Sequence, residues 1–334
     1  MPLSENKQTN ETAATLVQTL KGAFGTPPGY RVAHARGTLV TGTFTPTAVA
    51  ASLSTAPHFH PHTTTPLLVR FSNSTGIPQI PDTDANSNPR GMATRFLLDD
   101  TGHRHTDIIC HSTPHFPTRT GEGFLAMLRA IGAGKIEEFL AETPSAAAFV
   151  QAPKPFPGAP LTLPGFTSYG LNAFKLIAQD GTGTFVRYIV EPSSGHHVLS
   201  DEEVQGRSAS YLYDELADHL SKTPIAFKYL AQIAEPGDPT DDVTKHWPAD
   251  RQRVELGTIK LEKLVPEPGN GKDQRKYIFD PIPRVRGIEA SEDPLLDMRA
   301  TVYVIGGKER RAAPEHGGEG AKAAGGDGGA LGAA

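Results

Sequence analysis

The chain has 334 residues, one cysteine and a formal net charge of −5, with 37% hydrophobic and 21% charged residues. That balance excludes a disordered chain, offers no broad positive field to nucleic acid, and leaves neither an intramolecular disulfide nor a thiolate metal cluster. The N-terminal residues lack a basic segment followed by an apolar run, and no stretch reaches the roughly 20 apolar residues of a membrane span. The expectation is therefore a cytoplasmic protein without nucleic-acid or membrane partners.

In chain order, the spacing of Ala14, Leu16, Val17, Leu20 and Ala23 predicts a helix over 12–23, stopped by Gly25, Pro27, Pro28 and Gly29. Runs rich in β-branched and aromatic residues at 37–44, 66–71 and 91–98 read as strands. Helices are expected at 122–131 and 210–220. Between them, 174–178 and 184–190 flank Asp180-Gly181, the pattern of a β-hairpin. Further strands are expected at 226–234, 253–261 and 276–279. So many strands predict an α+β fold in which a closed antiparallel β-barrel carries helices on its outside. Residues 1–29 read as an N-terminal helix and linker, 30–311 as the barrel domain, and 312–334, rich in Gly and Ala, as a disordered tail.

The chemistry concentrates in a few motifs. In DMRATVY at 297–303, Arg299 and Tyr303 lie four apart. On a helix they share one face, and the guanidinium can reach the phenolic oxygen. A ferric ion and an adjacent arginine both favour the phenolate, so such a pair can supply an anionic iron ligand. The same spacing also fits a plain surface contact, and Thr301, Val302, Tyr303 and Val304 favour strand locally. In RVAHARG at 31–37, His34 beside small residues at a strand start suits a proton shuttle, or simply a hydrogen-bonded imidazole. In LLVRFS at 67–72, an apolar strand ends in Arg70 and Ser72, and a buried arginine needs an anion. Blander readings suit the rest. His58, His60 and His62 fall in a loop without nearby carboxylates, His196 and His197 precede a helix start at Ser200, and Cys110 is a small buried residue open to oxidation beside His111. The runs at 201–203 and 241–242 read as surface charge.

Taken together in this order, the segments resemble the haem catalase family over residues 30–311. The resemblance rests on RVAHARG at 31–37, VRFS at 69–72, PRGMATRF at 89–96, STPHF at 112–116, YGLNAFKL at 169–176, DVTKHWP at 242–248, and FDP at 279–281 followed by DMRATVY. The chain is shorter than ordinary catalases and is similar to the family's minimal, catalase-related peroxidases. The resemblance implies one buried haem b with Tyr303 as proximal iron ligand, tyrosine being the catalase haem ligand, and Arg299 as its charge partner. It further implies that His34 is the distal acid–base residue, oriented by Ser72. Arg31 and Arg70 match partners of the haem propionates, and Phe124 matches the aromatic residue on the distal face. Arg310 is a third propionate partner unless Gly306-Gly307 ends the helix before it.

Two departures bear on mechanism. The family's distal asparagine falls at His111, which either hydrogen-bonds peroxide or ligates iron, and the bulky valine before the distal histidine becomes Ala33, which widens the approach. The implied activity is a peroxidase that reduces hydrogen peroxide or an organic hydroperoxide with a small-molecule electron donor, with weak catalase activity, in a monomer or small homo-oligomer. The alternatives are a fatty-acid hydroperoxide isomerase or dehydratase, for which Ala33 lacks the threonine hydroxyl of catalase-like allene oxide synthases, and a haem-binding sensor without turnover.

Overall fold

The computed structural model describes residues 1–152 and 159–314. The Asn6 side chain accepts from the backbone N–H groups of Gln8 and Thr9 and starts α1 (Lys7–Phe24), which buries Leu16, Val17 and Leu20 and ends at Gly25 with φ 58°. There follow β1 (Gly37–Pro46), α2 (Ala48–Leu53), β2 (Thr65–Ser72), β3 (Gly91–Leu97), β4 (His105–His111), α3 (Gly121–Gly132), α4 (Ile136–Glu142) and α5 (Pro144–Gln151). After these come β5 (Ala159–Pro160), β6 (Ser168–Tyr169), β7 (Phe174–Ile177), β8 (Gly183–Pro192), β9 (Val198–Leu199), α6 (Asp201–Gln205) and α7 (Tyr211–Lys222). The last are β10 (Ile225–Ile233), β11 (Arg253–Leu264), β12 (Ile288–Ala290) and α8 (Pro294–Ala312).

Strand order β10-β11-β1-β2-β3-β4-β6-β8, with β8 pairing back onto β10, closes an antiparallel barrel of eight strands. Closure removes the unpaired sheet edges. Alternate residues point inward: Leu67, Val69 and Phe71 of β2, Met92 and Phe96 of β3, and Ile108 and Cys110 of β4 join the central core with Phe44, Phe59, Tyr188, Phe227 and Tyr229. Burying a Leu or Phe side chain of this kind contributes about 2 kcal/mol each. The opposite faces of β2, β3 and β4 carry Leu68, Arg70 and Ser72, Gly91, Ala93 and Arg95, and Asp107, Ile109 and His111. The antiparallel register aligns these into rows: Ser72–Gly91–His111, then Arg70–Ala93–Ile109, then Leu68–Arg95–Asp107. A second apolar cluster, with Leu16 and Leu20 of α1, Leu125 and Leu128 of α3 and Leu295 and Met298 of α8, packs three helices together outside the barrel.

The predicted helices and the hairpin form close to their expected bounds. One expectation fails: residues 276–279 are not a strand. A 3-10 turn at Lys272–Lys276 leads into extended chain without ladder partners. Its carbonyls turn instead to arginine side chains: Gln274 O and Tyr277 O accept from Arg31, and Arg275 O and Tyr277 O from Arg310. Helix α8 continues through Gly306-Gly307 to Ala312. Gly307 lets Ile278 pack closely on the helix, since a Cβ there would lie 2.3 Å from Ile278 Cδ1 and displace that side chain. The strand preference of 301–304 is overridden by packing against α1 and α3. Of the expected tail, residues 315–334 lie outside the described residues. His58 is buried 4.5 Å ring to ring from Phe96 and 4.1 Å from Phe59, a core histidine pushed down to about 3 by burial first and His60 second. Ser200 and Glu203 form a reciprocal capping box at α6.

Candidate active site

A cavity of about 260 Å³ lies between the outward faces of β2–β4 and the helices α1, α3 and α8. Nearly every residue singled out from the sequence lines it: Arg31, His34, Arg70, Ser72, His111, Phe124, Arg299, Tyr303 and Arg310, together with Ala33. The barrel supplies one wall and α8 the opposite one.

On the barrel wall, His34 sits at φ 56°, a left-handed backbone that costs a non-glycine residue on the order of 1 kcal/mol and is common where function holds it. It is held there from both sides. Ala35 N donates to Thr75 O at 2.9 Å, and Arg70 donates to His34 O at 3.0 Å and Ala35 O at 3.2 Å. Ser72 Oγ lies 3.1 Å from His34 Nδ1. Gly91, next in the Ser72 row, is needed to admit the ring: a Cβ there would stand 2.6 Å from Ser72 Oγ and 2.9 Å from His34 Nδ1. The third residue of the row, His111, lies parallel to His34, with centroids 5.4 Å apart and planes within 8°. Burial, followed by the Arg70 charge, lowers His34 to about 4. His111 is lowered further by burial, then by His34 and Arg299. Both rings are enclosed by protein and neutral at neutral pH, and their remaining accessible surface faces the cavity.

On the α8 wall, Asp293 caps the helix by accepting from Leu295 N at 2.9 Å. Asn172 Nδ2 donates to the other Asp293 oxygen at 3.0 Å, and Asn172 Oδ1 accepts from Arg299 Nη1. Arg299 Nη2 donates to Tyr303 Oη at 3.4 Å. The helical spacing thus places guanidinium beside phenol, and the Asp293–Asn172 arm fixes the guanidinium. Asn172 and Asp293 were not singled out from the sequence. The signal available was a buried amide in YGLNAFKL and an aspartate before a proline, both of which also occur for local reasons. Burial pushes Asp293 up, its hydrogen bonds and Arg299 opposing.

At one end of the cavity, Arg31, Arg70 and Arg310 converge. Burial depresses all three: Arg70 and Arg310 to about 10, and Arg31 well below its ordinary value, with Arg70 and Arg310 repelling it as well. Their hydrogen bonds go to carbonyls and to Gln274 Oε1, which lies 2.9 Å from Arg70 Nε. No carboxylate among the described residues pairs with them. Three enclosed cations without an anion are costly in a folded protein. Gly37 makes room for one of them, since a Cβ there would lie 2.4 Å from Arg70 Nη2. Phe124 of α3 packs on Phe116 with centroids 5.5 Å apart and lines the cavity with Val302 and Leu295. Gly306 has nothing within 4 Å of where a Cβ would stand, so the α8 face between Tyr303 and Arg310 is open. Cys110 is buried, and burial pushes its thiol up to about 12.

Compared with known proteins, residues 28–316 match the catalase family model. The chain belongs to the catalase family. Two similar proteins are a catalase-related peroxidase of Mycolicibacterium paratuberculosis, 35% identical over 86% of this chain and 91% of that protein, and a catalase-related peroxidase of Synechococcus elongatus, 31% identical over 90% and 89%. A bacterial catalase structure superimposes with a TM-score of 0.73 at 24% identity, over 92% of this chain. This catalase-family chain spans 62% of that larger protein.

The family implies haem, and the cavity suits it chemically. The enclosed arginines at one end have no carboxylate partner among the described residues and suit the anions that a pair of propionates provides, the walls between are apolar, and Tyr303 offers a phenolic oxygen beside a fixed guanidinium.

Proposed function

We propose that this catalase-family oxidoreductase, which acts on peroxide, is a haem b peroxidase that reduces hydrogen peroxide or organic hydroperoxides with a small organic electron donor, with weak catalase activity. The observation that carries the proposal is the opposition of two prepared walls, Arg299 and Tyr303 on α8 facing His34 and Ser72 on the barrel, beside three enclosed arginines that no carboxylate among the described residues pairs with.

When bound, the haem iron supplies the electrons that cleave the peroxide bond. The protein's part is to hold and to move protons. Tyr303 would hold the haem iron through its phenolic oxygen, with Arg299 donating to that oxygen and the Asp293–Asn172 arm keeping Arg299 in place. Arg31, Arg70 and Arg310 would hold the propionates, and Phe124 would pack against the ring. With His34 Nδ1–H donating to Ser72 Oγ, Nε2 is left as a lone-pair acceptor. That nitrogen would take a proton from a bound peroxide and return it to the departing oxygen, a transfer that contributes roughly 100- to 10,000-fold. A neutral imidazole is required for the first half, and burial keeps His34 neutral. Ala33 leaves more room before His34 than a larger aliphatic residue would, which suits a substituted peroxide.

The test is the absorption spectrum of the purified protein and of Tyr303→Phe, followed by stopped-flow mixing with hydrogen peroxide and cumene hydroperoxide, with oxygen evolution and phenol oxidation recorded in parallel. A ferric tyrosinate spectrum lost in the variant, with donor oxidation exceeding oxygen release, is expected. No haem uptake, or an unchanged spectrum in Tyr303→Phe, would overturn the assignment.

A further inference from the structure

His34 is tied by Ser72, but no hydrogen bond holds the His111 ring to any described residue. A polar side chain enclosed by protein, with both ring nitrogens unpartnered and its exposed surface in the cavity, is unusual unless something in the cavity pairs with it. Its position is set by backbone geometry, since the β3–β4 register pairs His111 with Gly91, and Gly91 pairs with Ser72. The imidazole is therefore held level with and parallel to His34, 5.4 Å away, on the wall that faces Tyr303.

We propose that His111 is a second proton acceptor of the peroxide site, able to take the peroxide proton in place of His34. This rests on the peroxidase function proposed above and names a further catalytic residue for it. Two parallel imidazoles so close repel each other when both are charged, so the pair carries one proton at a time. The singly protonated pair then presents a donor and an acceptor side by side. Heterolysis of a hydroperoxide needs both: the oxygen nearer the metal gives up its proton, and the leaving oxygen gains one to depart as alcohol or water. Over a full turnover, one hydroperoxide and two phenolic hydrogen-atom donors give one alcohol, one water and two donor radicals. The donors' protons arrive singly, as a pair of this kind can accept them.

The test uses the haem-loaded protein with hydrogen cyanide as probe, because cyanide binding to the ferric site requires a base to remove its proton, independently of turnover. Association rates are measured for wild type, His34→Gln, His111→Asn and the double variant, with haem content and the ferric spectrum as controls. Each single change is expected to slow association by less than about tenfold, and the double change by about 100-fold or more. Collapse of His34→Gln alone to the rate of the double variant, no effect of His111→Asn, or a double variant as fast as wild type would each overturn the proposal. Failure to load haem, or an unchanged Tyr303→Phe spectrum, would instead overturn the underlying function.

Discussion

Replacing Arg310 with methionine separates the cost of the enclosed arginines from their use. Arg310 is 6% exposed, and burial brings its guanidinium from 12.5 to about 10. At about 1.4 kcal/mol per pKa unit, that corresponds to about 3 kcal/mol by which the folded protein without haem is destabilised below pH 10. The sign follows from the direction. A base whose folded pKa is depressed binds its proton more readily in the unfolded chain, so the penalty is fully present at neutral pH and relieved only as pH rises through about 10. Methionine removes this penalty with similar bulk. It also removes the hydrogen bonds to Arg275 O at 2.8 Å and Tyr277 O at 2.9 Å, each worth about 1.5 kcal/mol with a charged donor. The two effects nearly cancel. The haem-free variant is expected to unfold within about 1 kcal/mol of wild type, whereas haem affinity falls roughly 10- to 100-fold through loss of a charge-assisted carboxylate contact. Calorimetry of the haem-free proteins and haem transfer to an acceptor globin measure the two quantities separately. An unchanged transfer rate, or destabilisation of the haem-free variant by more than about 3 kcal/mol, would refute the account of three cations held for an anionic ligand.

Further outcomes follow from the same geometry. Gly91→Ala places a Cβ 2.9 Å from His34 Nδ1 and 2.6 Å from Ser72 Oγ, so the peroxide reaction is expected to slow severalfold, by less than about tenfold because His111 can substitute, with haem content retained. Stopped-flow rates beside the haem-to-protein ratio check it. Asn172→Leu removes the arm between Asp293 and Arg299, and a shift of the ferric spectrum towards that of Tyr303→Phe is expected while the barrel's thermal unfolding stays cooperative. His58, lowered to about 3, and His34, lowered to about 4, are neutral in the folded protein while the unfolded chain protonates near 6.5. Their stabilisation is complete above about 6.5 and is lost as pH falls towards 3, so His58→Leu is expected to flatten the acid limb of the unfolding free energy against pH by several kcal/mol. An acid limb as steep as that of wild type would show that His58 is not buried neutral.

Sequence patterns that report local chemistry were readable. The apolar stripe of α1, the Asp180-Gly181 hairpin and the β-branched and aromatic run of β2 follow from patterns within a few residues of one another. The segment at 276–279 was not, because its aromatic and β-branched residues suit a strand, and only the distant guanidiniums of Arg31 and Arg310 explain why its carbonyls leave the ladder. β4 was missed for a related reason. Its outward positions carry Asp107 and His111, polar groups that lower its strand score, yet Asp107 is buried against Arg95 at 2.8 Å and His111 faces the cavity. Within the site, the residue types of DMRATVY and RVAHARG pointed to iron and proton chemistry, whereas Gly91 acts through cross-strand and loop neighbours and Asn172 and Asp293 through each other, 121 residues apart in sequence.

The β2–β4 register explains how a β-barrel can carry such a site on its outer face. Ser72, Gly91 and His111 form one cross-strand row, and Arg70 lies two residues along β2 from Ser72, so orienting hydroxyl, admitting glycine, second imidazole and anion-binding arginine share one rigid surface. A one-residue slip would turn all of them into the apolar core and bring Phe71, Met92 and Cys110 to the cavity. The core aromatics that hold the register therefore also hold the distal geometry, although they touch nothing in it. The α8 wall has no such ladder, and Tyr303 depends on helix packing and on the Asp293–Asn172–Arg299 chain for its position. It follows that substitutions within the central core should disturb the proposed peroxide chemistry through His34, whereas changes at the α1–α8 contact, such as Lys21 against Glu309, should act first on Tyr303.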